Sequence, residues 1–312
     1  AYSRISLRSS GSRRFGQPKT GTRHTREKGG PEFIPRWVSW SALPPAPKLQ
    51  INYTGGTENE MSLERIIFAS DLHGDLQDVD AVDALLKFTK EWKPHHKIFG
   101  GDLFDFRPLR KRASREERAE TIQYDIDAGI KFINAWRPGY WLRGNHDERL
   151  WDFALKDGIE GEFAQKGIKD LDFKCKKLKI KTFPYCKRRG ILEMGKLKML
   201  HGFHHGVNAA RQHGLVYGSC LFGHIHAIDM ASIPGLEKRQ ARAVGCLCRL
   251  DHPYNARLVS TLRHSHGWAY GVIDNKTGGF EVWQMQNEKD LGWLGLTRPV
   301  QVGQTPSRTP TD

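Results

Sequence analysis

Residues 65–75 read Arg65-Ile66-Ile67-Phe68-Ala69-Ser70-Asp71-Leu72-His73-Gly74-Asp75, an apolar run of buried-strand length that empties into a polar loop. The same junction recurs four times along the chain. The runs 97–100, 139–142, 197–200 and 219–222 lead into Gly101-Asp102, Gly144-Asn145-His146-Asp147, His201-Gly202 and Gly223-His224-Ile225-His226. Open α/β sheets hold ligand sites at the carboxyl ends of their strands, where these loops would stand. Imidazole nitrogen, carboxylate oxygen and an Asn carbonyl make a borderline donor set. It suits Mn, Fe or Zn better than an all-oxygen Mg or Ca cage does, and it lacks the thiolates of structural zinc. Together the loops read as a two-metal site, in which ions roughly 3.5–4 Å apart polarise phosphoryl oxygens and acidify water.

The order Asp-x-His, Gly-Asp, Gly-Asn-His-Asp, His, Gly-His-x-His resembles that of the calcineurin-like metallophosphoesterases over about residues 63–285. The resemblance implies an α/β fold, a sandwich of two mixed β-sheets flanked by helices. It also implies hydrolysis of phosphate esters with two divalent transition-metal ions, Mn first and Fe or Zn as alternatives. Carried over residue by residue, Asp71, His73 and His226 hold one ion, Asn145, His201 and His224 the other, and Asp102 bridges them. His201 is preferred to His204 and His205 because it directly follows the strand. His146 matches the catalytic histidine, which protonates the leaving oxygen or stabilises phosphoryl charge, and Asp105 matches the carboxylate that orients it.

The departures narrow the resemblance. Protein phosphatases place an Arg-Gly after this acidic loop, where the chain has Phe106 and then Arg107. The repair nucleases of the superfamily carry His where the chain has Asp105. Leu142-Arg143-Gly144-Asn145-His146 is similar to the phosphatase segment, which leaves Arg143 either a phosphate ligand or a structural salt bridge.

Charge bears on substrate. The chain of 312 residues has a formal net charge of +14. Arg107, Arg110, Lys111, Arg112 and Arg115 follow the Asp102–Asp105 loop, and a second basic cluster spans 174–189. A positive surface beside a phosphoryl-transfer site rewards extended phosphate contacts, which favours nucleic acid as substrate, with Arg107 and Arg110 on its backbone. Phe106, Trp141 and Trp151 are candidate stacking surfaces. The alternatives are a phosphomonoesterase acting on a nucleotide, small ester or phosphoprotein, and a catalytically silent nucleic-acid-binding module.

Hydrophobic content of 38%, with nine Trp and fifteen Phe, can fill a substantial core. No apolar run approaches the ~20 residues of a membrane span. Five cysteines without a regular framework point to a reducing compartment, so a cytoplasmic protein is expected. Cys246 and Cys248 alternate on one strand face, where packing is preferred to a third metal site. His95, His96, His213, His252, His264 and His266 default to surface or hydrogen-bonding roles. Nothing in the sequence speaks to oligomeric state.

Helical spacing is expected over 76–92, closed by Pro94, and over 114–136, opened by a Ser114/Glu117 capping box. From Leu178 the pattern turns mainly to strands, with Gly195 joining two of them and a hairpin pairing 268–274 with 280–285. Residues 1–60 are basic and rich in Ser, Gly and Pro, without the periodicity to form a core; a disordered extension is expected there. The phosphoesterase domain is assigned to 61–286 and a polar tail to 287–312.

Overall fold

The computed structural model describes residues 63–251, 259–288 and 292–294. The expected extension 1–60 and His252 lie outside the described residues. The run that opens the site forms β1 (Leu63–Ala69), and Ile66, Ile67, Phe68 and Ala69 are all fully buried. A strand covered on both faces has no polar alternation, which is why this run reads as continuously apolar. β1 pairs in parallel with β2 (His96–Phe99), which continues to β3 (Tyr140–Leu142) and β4 (Lys181–Phe183). Its other edge pairs antiparallel with β10 (Gly267–Asp274), and β11 (Phe280–Glu288) and β12 (Gly292–Leu294) complete a seven-stranded mixed sheet. The second sheet runs β5 (Leu192–Met194), β6 (Leu197–Leu200), β7 (Cys220–Phe222), β9 (Arg239–Val244), β8 (Ile228–Ile233).

The two-residue period of β1 separates the layers. Ile66 and Phe68 meet Met199, Leu221 and Val244 of the second sheet. Ile67 and Ala69 face the opposite way, into a core shared with α1 (Val79–Trp92), α3 (Gln123–Trp136), α4 (Glu148–Phe153) and α5 (Ile159–Lys177). α6 (Ala209–Tyr217) covers the outer face of the second sheet through Ala210 and Tyr217. The result is the expected α/β sandwich of two mixed sheets flanked by helices.

Several boundaries differ from the sequence reading, each for a local reason. The first helix starts at Val79 with Asp78 as N-cap, because Gly74–Leu76 forms a 3-10 turn and Gln77 bridges to Cys248. The capping box is present, with Glu117 N–H on Ser114 Oγ and Ser114 N–H on the Glu117 carboxylate. It opens only the short helix α2 (Arg115–Ala119), after which Glu120 is extended and reaches Arg107 at 2.9 Å. α6 interrupts the stretch expected to be β: its buried positions are Ala, Ala, His, Gly and Tyr, too weak an apolar stripe to register. The domain also runs past 286, since β11 extends to Glu288 and β12 follows in the expected tail.

Candidate metal centre

The loop after β1 is stitched to the loop after β2 by backbone bonds. Asp71 N–H donates to Gly101 O at 2.9 Å, and Leu72 and His73 both donate to Asp102 O at 3.0 and 2.9 Å. Side chains then join the remaining loops: Asp102 Oδ1 accepts His146 N–H at 2.8 Å, and Asp71 Oδ2 accepts His224 N–H at 2.9 Å. Asp71, His73, Asp102, His224 and His226 all sit at left-handed φ between 51° and 70°. That conformation costs a non-glycine residue roughly 1–3 kcal/mol and persists only where its surroundings impose it. Here the surrounding loops bend the backbone so that the side chains converge.

Two glycines make the approach feasible. A Cβ on Gly144 would run into the Asp102 carboxylate, and one on Gly223 would run into Ser70 Oγ and Asp71 Oδ2. The glycines of Gly-Asn-His-Asp and Gly-His-x-His are therefore clearance for carboxylates from other strands.

The seven expected ligand residues meet in two overlapping groups. His73 Nε2 lies 3.0 Å from His226 Nε2 and 3.8 Å from Asp102 Oδ2, and His226 Nε2 lies 3.3 Å from Asp71 Oδ1. His201 Nε2 lies 3.0 Å from Asn145 Oδ1, 3.3 Å from Asp102 Oδ2 and 3.3 Å from His224 Nδ1. Asp102 belongs to both groups. His73 Nδ1 donates to Asp105 at 2.9 Å and His201 Nδ1 to Gly100 O at 2.9 Å, so in the neutral ring the inward Nε2 of each is a lone pair. Lone pairs and carboxylate oxygens facing one another at 3.0–3.8 Å repel unless positive charge lies between them. This donor set fits divalent cations.

Electrostatics agree. Burial opposes a charge on Asp102, but His201 and then His146 outweigh it and hold the carboxyl well below the ordinary range. Burial likewise pulls His201 down, yet Asp102 lifts it to about 9, so a proton between the two supplies the positive charge that an ion would otherwise bring. Asp105 is also buried, and hydrogen bonds from His146 and His73 keep it well below the ordinary carboxylate range. Its Oδ1 accepts from His146 Nδ1 at 2.6 Å as well as from His73, so one oxygen orients two imidazoles. His146, its Nε2 4.0 Å from Asp102 Oδ2, lines a cavity of about 380 Å³ together with Asp102, Asn145, His224 and His226.

The expected substrate residues divide. Arg107 and Arg110 both line the cavity, but Arg107 is clamped by Asp75, Glu120 and Asp105, and Arg110 by Glu117. Arg143 lies over the Trp151 ring at 4.0 Å with its Nε 3.4 Å from Glu148, which is the salt-bridge alternative. Phe106 and Trp141 are buried core residues, which corrects their reading as stacking surfaces; Trp151 carries Arg143 instead. His95, His96, His213 and His266 have hydrogen-bonding roles, whereas His264 lines the cavity.

Four further residues join the site, three of them not foreseen and one, His205, weighed only as an alternative to His201. Asp147 accepts N–H bonds from Phe104, Trp141 and Gly144, tying two of the loops together. Asp125 accepts the N–H groups of Asp105 and Phe106, and burial pushes it up to about 7. Its signal was present: it falls on the buried stripe of α3 with Gly129, Phe132, Ile133 and Trp136, a carboxylate where an apolar residue is expected. His205 and Arg149 line the cavity, and for Arg149 only proximity in space reveals it.

A family model described as calcineurin-like phosphoesterase matches residues 64–227, just over half of the chain and all five motifs. The chain belongs to the calcineurin-like phosphoesterase family. Membership makes it a metal-dependent hydrolase of phosphate esters, in a family whose members generally bind two divalent ions. Similar solved structures include Vacuolar Protein Sorting 29 from Cryptosporidium parvum, at 13% identity, covering 73% of this chain and 99% of that one with a TM-score of 0.35. The E. coli phosphoesterase Yfce matches at 15% identity over 70% of this chain and 97% of its own, with a TM-score of 0.31. A phosphatase from Mycoplasma pneumoniae matches at 10% identity over 72% and 93%, with a TM-score of 0.35. No curated protein matches the sequence. Among the described residues no helix is long and apolar enough to cross a membrane.

Proposed function

We propose that this calcineurin-like phosphoesterase cleaves phosphodiesters of nucleic acid. The reading rests on one observation: the cavity mouth at Arg110 continues directly into an exposed basic turn, Lys111 and Arg112, with exposed Arg115 beyond it. Arg107 and Arg110 are held in place by acids, so the outer cations are the ones presented to a passing backbone.

Asp71, His73 and His226 would hold one divalent ion and Asn145, His201 and His224 the other, with Asp102 shared. When bound, such ions polarise a phosphoryl group and acidify water. His146 supplies what the ions do not. Asp105 accepts from its Nδ1 at 2.6 Å and so fixes the ring, whose imidazolium form is the one that can donate the Nε2 proton to the departing ester oxygen. Fixing the ring in advance removes a rotational search from the proton transfer.

A second reading, hydrolysis of a phosphomonoester, draws on the burial of Phe106 and Trp141, which leaves no stacking platform from either residue, and on the acids that occupy Arg107 and Arg110. Replacing Arg110, Lys111 and Arg112 together with Ala separates the two. The nuclease reading expects weaker nucleic-acid binding, a salt dependence flatter by roughly one per lost phosphate contact, and unchanged turnover of a small aryl ester. Unchanged action on both substrates would overturn it in favour of the monoesterase.

A further inference from the structure

Each histidine at the centre turns one ring nitrogen inward and one outward. His73 and His201 turn Nδ1 outward, and each outward N–H meets an oxygen at 2.9 Å, Asp105 in one case and the Gly100 carbonyl in the other. The two histidines of Gly-His-x-His turn different atoms inward. His224 faces the centre with Nδ1, 3.3 Å from His201 Nε2, and His226 faces it with Nε2. A neutral imidazole that offers a lone pair inward carries its proton outward, and that N–H needs an acceptor.

We infer that His205 and Cys248 are positioning residues of the centre, His205 accepting the outward Nε2–H of His224 and Cys248 accepting the outward Nδ1–H of His226. His205 Nε2 lies 3.3 Å from His224 Nε2, with the ring centroids 4.3 Å apart. Cys248 Sγ lies 3.7 Å from His226 Nδ1, a sulfur-acceptor distance. The backbone that carries the thiol is itself held: His266 Nε2 donates to the Cys248 carbonyl at 2.9 Å, and Cys246 Sγ lies 3.7 Å from the same oxygen. Cys248 Sγ, His73 and His226 bring ligand atoms within 4.8 Å of one another, but the sulfur meets His226 at Nδ1, the nitrogen opposite the one that faces Asp71 and His73, and this assigns it to holding the ring.

The two partners differ in exposure, and this sets the size of each effect. Cys248 is completely buried, so no water can take its place, whereas His205 is on an exposed loop at the cavity, where water can. The assignment gives the otherwise unexplained Cys248 a role beyond packing, and it rests on the two-ion reading above.

Zinc uptake by the metal-free full chain, measured in competition with a chromophoric chelator, tests it. The wild type should take two ions. Outer-shell losses typically weaken metal affinity about 10–100-fold. Cys248→Ala should fall near the upper end on one uptake step and His205→Ala near the lower end on the other. Cys248→Ser and His205→Gln, which keep an acceptor, should recover most of the loss. The cobalt-loaded wild type should show no thiolate-to-cobalt charge-transfer absorption; such a band would overturn the assignment by making Cys248 a ligand. Variants that bind both ions as tightly as the wild type, or that weaken both steps equally with a lowered Tm, would also overturn it. A wild type that takes up no zinc would overturn the two-ion reading itself.

Discussion

Asp105→Asn is the substitution that most sharply tests the proposed site, because a single oxygen of Asp105 accepts from both His146 at 2.6 Å and His73 at 2.9 Å. The change keeps shape and removes charge. A hydrogen bond to a charged group contributes about 1.5–3 kcal/mol and a neutral one about 0.5–1.5. Each bond therefore loses about 1–1.5 kcal/mol and the pair about 2–3. At 1.36 kcal/mol per tenfold, kcat should fall about 30- to 150-fold. The amide cannot escape by flipping, since one orientation turns its NH₂ toward Arg107 Nη1, 3.6 Å from Asp105 Oδ2, and the other turns it toward the two imidazoles. The assay is steady-state hydrolysis of an aryl phosphodiester at saturating manganese, with bound metal measured by elemental analysis. Part of the loss runs through His146, so Asp105→Asn combined with His146→Ala should cost less than the product of the two single losses. A kcat within threefold of wild type, or strictly multiplicative losses in the double variant, would refute the shared-oxygen argument.

Three further outcomes follow from the same geometry. His146→Ala should keep both ions and lose at least about 100-fold in turnover, the range of a positioned acid, while Asp102→Asn should lose metal and activity together; equal metal loss in both, read by elemental analysis, would make His146 a ligand. Gly144→Ala should drive a methyl group into the Asp102 carboxylate, costing about 1–3 kcal/mol of stability and weakening metal uptake, and an unchanged Tm and metal content would contradict the crowding. His213 is buried, donates Nδ1–H to Ala209 O at 2.8 Å and accepts Phe203 N–H at 2.8 Å, and burial lowers it to about 4 from an ordinary 6.5. The unfolded chain takes up this proton first, so the stability is complete above pH 6.5 and is lost as pH falls through about 4, amounting to about 3 kcal/mol. Urea unfolding from pH 7 to 4.5 should show this loss in the wild type and a flatter profile in His213→Gln; identical slopes would refute it.

The chain's own order of residues already determines the family, the five loops and the strands that carry them. Each of those features is local: an apolar run of four to six residues followed within four positions by an acid or a histidine is complete within about ten positions, and its donor chemistry needs no neighbour to be read. The same holds for the Ser114/Glu117 capping box and for the β10–β11 hairpin, whose turn residues lie between the paired strands. Partner choice was decided only in three dimensions. Arg107 reads as a phosphate ligand until the loop after β1 brings Asp75 to 2.9 Å across 32 positions. Phe106 and Trp141 read as stacking surfaces until the helices cover them. His205 and Cys248 carry no motif, because what distinguishes them is lying 3.3 and 3.7 Å from the outward nitrogens of His224 and His226. A side chain's type is written at its own position, but the charge, burial and hydrogen-bonding partner that set its role are contributed by segments remote in sequence, which meet only when the two sheets pack.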